Sequence, residues 1–201
     1  MVSTTVATTF GVPLAYWLAR TEGRLTTVVS ALVVMPLVLP PIVSGMVLLT
    51  VVGPNTLVGD LAARAGLPLT RSLAGVVLAQ TFVASPFVVV ATRAAIESVD
   101  AGLEYASRSL GTGRLTTVRR VVLPLAWPGI LAGITLTFAR SLGEFGATIM
   151  LAYYPRTMPV EIWVSFTTLG LESAFPVAVV LVGVAVATLV ALNALGRHPL
   201  E

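Results

Sequence analysis

Residues 97–129 read ESVDAGLEYASRSLGTGRLTTVRRVVLPLAWPG, and the placing of this stretch decides the fold. It holds Glu97, Asp100, Glu104, Arg108, Arg114, Arg119 and Arg120, yet the runs on either side, 72–92 and 121–139, contain no charged residue. Asp100 is positioned to cap a short helix over 101–110, and Gly111 to end it in the left-handed conformation that glycine adopts without a Cβ penalty. A second turn is expected to follow and to stop at Leu123-Pro124, because proline removes a helical hydrogen bond. A structured polar segment of this kind, about 93–126, between two apolar runs is a loop at a membrane surface. On its residues alone, the helix is either an amphipathic interfacial element or a docking surface for a soluble partner.

Working outward, the composition agrees with a membrane setting. Of 201 residues, 56% are hydrophobic and 10% charged, with a mean hydropathy of +0.96. A soluble domain carries about 25% charged residues to cover its surface, whereas a surface facing lipid needs none. The net charge of +3 comes from arginine alone, since lysine is absent. Those arginines are scattered between apolar runs, which fits a positive-inside bias and predicts no nucleic-acid partner. The absence of cysteine excludes disulfides and thiolate-bound metal. The lone His198 is expected to be solvated, so neither a metal site nor a cofactor is predicted.

Apolar runs near the roughly 20 residues that cross a bilayer predict five spans, at 2–19, 26–52, 72–92, 127–152 and 174–196. The chain is therefore read as an all-α, polytopic transmembrane bundle forming one domain over 1–201. The opening stretch lacks the charged n-region of a signal peptide and reads as a short first helix containing Pro13. The second run is too long for one straight crossing and is interrupted by Pro36, Pro40 and Pro41. Pro86 lies within the third. The run at 158–169 is too short to span and reads as interfacial or re-entrant. Arg20, Arg24, Arg93, Arg108, Arg114, Arg119, Arg120 and Arg197 fall on one side, against Arg64, Arg71 and Arg156 on the other. The bias puts the first group in the cytoplasm and the N-terminus outside.

Two features inside the fourth span carry chemistry. Arg140 and Glu144 stand four residues apart, on one helical face, and can pair. Each alone at mid-bilayer costs about 2.5–3.5 kcal/mol on insertion scales, so such residues face a bundle interior or a water-filled cavity. They read either as a route for an anion or as a pair that fixes helix packing. Gly129 and Gly133, one turn apart, read as a point of close helix contact.

The loop resembles the cytoplasmic signature of permeases of bacterial and archaeal ABC importers: Glu-Ala-Ala, three residues, Gly, nine residues, an aliphatic residue, any residue, then Leu-Pro. Here Gly111 is followed after nine residues by Val121 and then by Leu123-Pro124. The front half departs from the pattern, with Tyr105-Ala106-Ser107 at the Glu-Ala-Ala positions and Glu104 one residue early. Three blocks, PLVLPPIVSG (36–45), EYASRSLGTGRLTTVRRVVLPLAWPGILAG (104–133) and FARSLGEFGATIMLA (138–152), are similar to permeases of the molybdate, tungstate and sulfate importers, most of all the archaeal tungstate/molybdate type.

The resemblance implies a type I importer permease that works as a homodimer and moves a tetrahedral oxyanion inward. It implies separate ATPase subunits that grip the loop and an extracytoplasmic binding protein that delivers the anion. It places an ATPase-coupling segment at Glu104, Tyr105, Ala106, Ser107, Gly111, Val121, Leu123 and Pro124. A translocation pathway is expected at Pro40, Pro41, Ser44, Arg140, Glu144 and Thr148. No G-x-x-x-x-G-K-[ST] phosphate loop is present, so the chain is not expected to be an enzyme. Sulfate or thiosulfate import is the alternative within the family. A secondary transporter using Arg140 and Glu144 as a proton relay, or a non-transporting assembly subunit, are the alternatives outside it. Members of the family begin further upstream, so the first helix is expected to be a shortened one.

Overall fold

The third apolar run forms α5 (Leu73–Glu97), and the other helices are arranged around it. This computed structural model describes residues 1–196, with side chains as far as Ala191; Arg197 and His198 lie outside the described residues. Ser72 starts α5 by accepting a hydrogen bond from the Gly75 N–H at 3.1 Å, satisfying one of the four free donors of a helix end. The helix ends five residues later than expected, so Arg93–Glu97 form its last turn and are not loop.

α1 (Val2–Arg20) runs parallel to α5. Ser3 Oγ donates to Gln80 Oε1 at 2.6 Å near one end, and Arg20 Nη2 donates to the Val99 carbonyl at 3.1 Å near the other. Between these contacts Ala7, Ala15 and Leu18 are buried against Val88 and Val89. Pro13 stays inside α1 without ending it.

The fourth span packs antiparallel on the other side of α5. It starts before the expected position: α7 (Arg114–Thr117), a π-helical turn (Val118–Val122) and α8 (Leu123–Leu142) form one continuous helix of 29 residues. The expected stop at Leu123-Pro124 is therefore corrected. Proline cannot donate to a carbonyl one turn back, and the wider π turn, with the Leu123 N–H bonded to the Val118 carbonyl, carries the helix past that missing bond. Gly129 and Gly133 make the close contact expected of them. A Cβ built on Gly129 would stand 2.4 Å from the Ala95 Cβ, and one on Gly133 3.1 Å from the Val88 Cα.

The second and fourth runs are broken. The second divides into α2 (Arg24–Val38) and α3 (Pro41–Val52). Leu39 precedes Pro40 and is extended, with φ −75° and ψ 135°, the conformation forced on a residue before proline. Pro36 remains within α2 and is buried. The fourth run divides after α8, and a short α9 (Gly146–Leu151) follows the interruption Gly143–Phe145. α3 bends by 71° into α4 (Leu57–Arg64), a helix for which the sequence reading made no provision. Thr56 caps α4 by accepting from the Gly59 N–H at 3.0 Å.

Among the described residues three single helices, Leu73–Glu97, Arg114–Leu142 and Leu171–Ala191, are long and apolar enough to cross a bilayer, with the α3–α4 pair as a fourth, bent candidate. Five crossings were expected, so length and hydropathy support three or four of them; α1 and α2, which occupy the first expected run and the front of the second, do not meet that test alone. α10 (Met158–Leu169) is the predicted short helix, joined to α11 (Leu171–Gly196) at Gly170, φ +89°. Most of the apolar side chains of α11 through Val190 are uncovered, as a lipid-facing or partner-facing helix requires.

Candidate functional sites: the coupling segment and the broken spans

The polar segment folds as α6 (Ala101–Ser109). Asp100 Oδ1 accepts from the Gly102 N–H at 2.8 Å, so the expected cap is present. The helix ends as expected at Gly111, φ +85°, where the Gly111 N–H donates to the Arg108 carbonyl at 2.9 Å. A Cβ on Gly111 would meet nothing within 4 Å, so the backbone sign alone calls for glycine there.

What holds α6 in place is Glu104. The residue is 5% exposed, with Oε1 2.7 Å from Arg20 Nε and Oε2 accepting from Tyr16 Oη at 3.2 Å. A buried carboxylate requires such partners, and here they tie the loop to the end of α1. A second tie is a triangle of hydroxyls: Ser107 Oγ lies 2.6 Å from Thr112 Oγ1 and 3.1 Å from Thr117 Oγ1. Beneath the loop, Ile96, Val99, Val122, Ala126 and Ile130 form an apolar cluster.

The predicted coupling residues therefore divide by direction. Glu104 faces inward, Ser107 is half-buried, and Tyr105 and Ala106 face outward, as do Leu103, Leu110 and Leu115. Val121 and Leu123 are half-buried and Pro124 is exposed. The fully buried residue of that stretch is Val122, which the motif leaves as any residue. Tyr16 and Arg20 were missed as part of this site. Arg20 counted only toward topology, and nothing local in sequence connects it to a residue 84 positions away.

The pathway candidates gather where the two broken spans meet. α3 and α9 lie side by side, and a Cβ on Gly146 would stand 2.8 Å from both the Ile42 amide nitrogen and the Pro41 Cβ. The Pro40-Pro41 break is thus brought against the start of α9. Glu144 is 1% exposed and lies in the interruption, not on a continuous helical face as the sequence reading had it. Its Oε1 accepts from the Ala147 N–H at 2.7 Å and caps α9, while Oε2 pairs with Arg140 Nη1. The pairing expected from the spacing is present; the capping role is new. Phe145 in the same interruption packs on Trp163 of α10, with ring centres 5.7 Å apart. Ser44 Oγ and Thr148 Oγ1 are buried without a hydrogen-bond partner, which is uncommon for buried polar atoms. Among the described residues no cluster of His, Cys, Asp or Glu could hold a metal ion.

Outside the membrane-facing helices, Arg156 stacks on Tyr153 and pairs with Glu161 at 3.1 Å. The hydrogen bond from Arg156 to Glu161 holds the guanidinium pKa above its ordinary value.

This architecture has known counterparts. A molybdenum ABC transporter permease of Haloferax volcanii, described as probable, is 63% identical over 200 residues, spanning 100% of this chain and 73% of that relative. The molybdenum transport system permease ModB of Mycobacterium tuberculosis is 42% identical, covering 98% of this chain and 75% of its own length. The molybdate/tungstate permease WtpB of Methanocaldococcus jannaschii is 33% identical over 98% of this chain and 77% of its own. Among solved structures, the inward-facing MetNI methionine ABC transporter superposes with a TM-score of 0.72 at 21% identity, over 98% of this chain and 88% of that one. A bacterial alginate ABC transporter gives a TM-score of 0.73 at 18% identity, over 97% of this chain and 75% of that one; both likenesses concern the fold. The family described as binding-protein-dependent transport system inner membrane component matches residues 11–198, and the chain belongs to that family of membrane permeases.

Proposed function

We propose that the chain is the permease subunit of an ABC importer that moves a tetrahedral oxyanion, molybdate or tungstate, into the cell. The observation that carries this reading is similarity along the whole chain to permeases named for molybdenum and for molybdate/tungstate. These names favour molybdate or tungstate over the sulfate alternative. In this reading the outward residues of α6, chiefly Tyr105 and Ala106, meet an ATPase subunit, and Glu104, Ser107 and Gly111 set their position. Val121, Leu123 and Pro124 carry the displacement of α6 into α8. A second copy of the chain completes the pathway, and an extracytoplasmic binding protein delivers the anion.

The meeting of α3 and α9 suits such a route. Glu144 offsets the charge of Arg140 and engages the start of α9, so the positive potential left there comes from the start of α3, and Ser44 and Thr148 offer unengaged hydroxyls beside it. Pro40 and Pro41 end one half-helix and begin the next, which gives a place for the pathway to bend. Selectivity resides mainly in the binding protein, because a pathway that must release its cargo cannot hold it tightly. The test is reconstitution with the ATPase and binding protein in vesicles, with ATP-dependent uptake competed by tungstate, molybdate, sulfate and phosphate. Molybdate and tungstate are expected to compete best. Preference for sulfate or phosphate would overturn the substrate, and uptake without ATP would overturn the importer reading.

A further inference from the structure

A cavity of about 190 Å³ lies between the end of α1 and α6, lined by Tyr16, Arg20, Glu104, Tyr105, Arg108 and Arg114. Three guanidinium groups and one carboxylate leave it two positive charges in excess. Glu104 is committed to Arg20 and Tyr16, so the excess rests on Arg108 and Arg114. Arg108 is held in place: Nε donates to the Glu104 carbonyl at 3.3 Å, and the group lies 5.0 Å from the Tyr105 ring centre. Its outer nitrogens are left unengaged, and Arg114 forms no ion pair among the described residues. A planar guanidinium fixed by stacking is pre-organised for two parallel hydrogen bonds to a phosphate-like oxyanion. We propose that this cavity binds a tetrahedral oxyanion group, a lipid phosphate or a free inorganic anion, between Arg108 and Arg114.

The position of the cavity favours a headgroup. Tyr16 and Trp17 in the last turn of α1, and the exposed Trp127 near the start of α8, are aromatic residues of the kind that mark a membrane–water boundary. The basic cavity stands at that level, where anionic lipids concentrate. Occupancy would join α6 to α7 through Arg108 and Arg114, beside the Arg20–Glu104 pair that ties α6 to α1.

The test measures thermal unfolding of the purified chain in detergent at constant ionic strength. One arm titrates phosphatidylglycerol against phosphatidylcholine, and the other titrates inorganic phosphate and molybdate against chloride. A saturable rise in Tm is expected in at least one arm, and which arm responds identifies the source. Arg108→Gln with Arg114→Gln should abolish the rise, while Arg119→Gln with Arg120→Gln, an equal loss of charge outside the cavity, should keep it. Should the first double variant fail to fold, Arg114→Gln alone, which removes no ion pair, should weaken the apparent affinity roughly tenfold, the effect of one charge-assisted hydrogen bond. No saturable rise in either arm overturns the proposal, as does an equal rise in both double variants. Loss of ATPase association in the Arg108/Arg114 variant without any anion effect would assign the cavity to the ATPase instead and also overturns it.

Discussion

At the scale of single residues, the informative positions are those where a side chain does a different job from the one its spacing suggests. Gly111 is the simple case, because space is free around it and only the sign of φ is constrained. Gly111→Val should cost about 1–2 kcal/mol in the left-handed conformation and shift the outward face of α6. The expected outcome is normal membrane insertion with reduced ATPase association and uptake, whereas Gly111→Asn, which enters that conformation more readily, should keep most of both. Wild-type uptake by the valine variant at normal expression would separate Gly111 from coupling.

Glu144 is the harder case. Its spacing from Arg140 was legible, but its second function was not, because 127–152 was read as one span although Gly143 and Gly146 mark the interruption between α8 and α9. Arg140→Gln should strand the carboxylate in a site where it is 1% exposed, lowering stability by about 3 kcal/mol, the cost typical of unpairing a buried ion pair. Adding Glu144→Gln keeps an oxygen acceptor for the Ala147 N–H and should restore thermal stability. Uptake then separates the two readings of Arg140. If transport returns with stability, the pair is structural; if stability returns and transport does not, Arg140 serves the anion route.

At the scale of elements, apolar run length located the helices, and proline was the unreliable punctuation. Pro13, Pro36 and Pro86 remain inside helices, Pro40 ends one, and Pro124 is carried by a π turn. The difference lies in what absorbs the missing donor, which is a property of neighbours and backbone geometry and not of the proline itself. The glycines were more legible, because a small residue at one-turn spacing can serve close packing in one way. Gly129→Ala should place a methyl 2.4 Å from the Ala95 Cβ and destabilise the α5–α8 contact by about 1–3 kcal/mol. Adding Ala95→Gly should recover most of that loss in thermal unfolding. Equal stability of the single variant and the wild type would mean that the two helices are not in the contact described.

At the scale of the whole molecule, the arginine bias and the helix directions agree. α1 and α5 run parallel, each ending beside the α6 loop, and α8 returns antiparallel from it, so Arg20, Arg93, Arg108, Arg114, Arg119 and Arg120 collect at one end of the bundle. The opposite end holds α4 with Arg64, and Arg71 and Arg156 in the loops. Family membership fixes the chain as an inner membrane component, and the positive-inside rule then orients it. The absence of native cysteine allows a direct test with single introduced thiols. Ser107 is a poor site, since its hydroxyl is held by Thr112 and Thr117. Ser109 and Leu67 are exposed at opposite ends. In intact cells a membrane-impermeant thiol reagent should label Leu67→Cys and leave Ser109→Cys unmodified until the membrane is permeabilised. The reverse pattern would invert the chain, place α6 outside, and remove both the proposed ATPase coupling and the proposed anion site from the cytoplasmic face at once. Labelling of both positions from outside would show that the helices between them do not cross the bilayer an odd number of times.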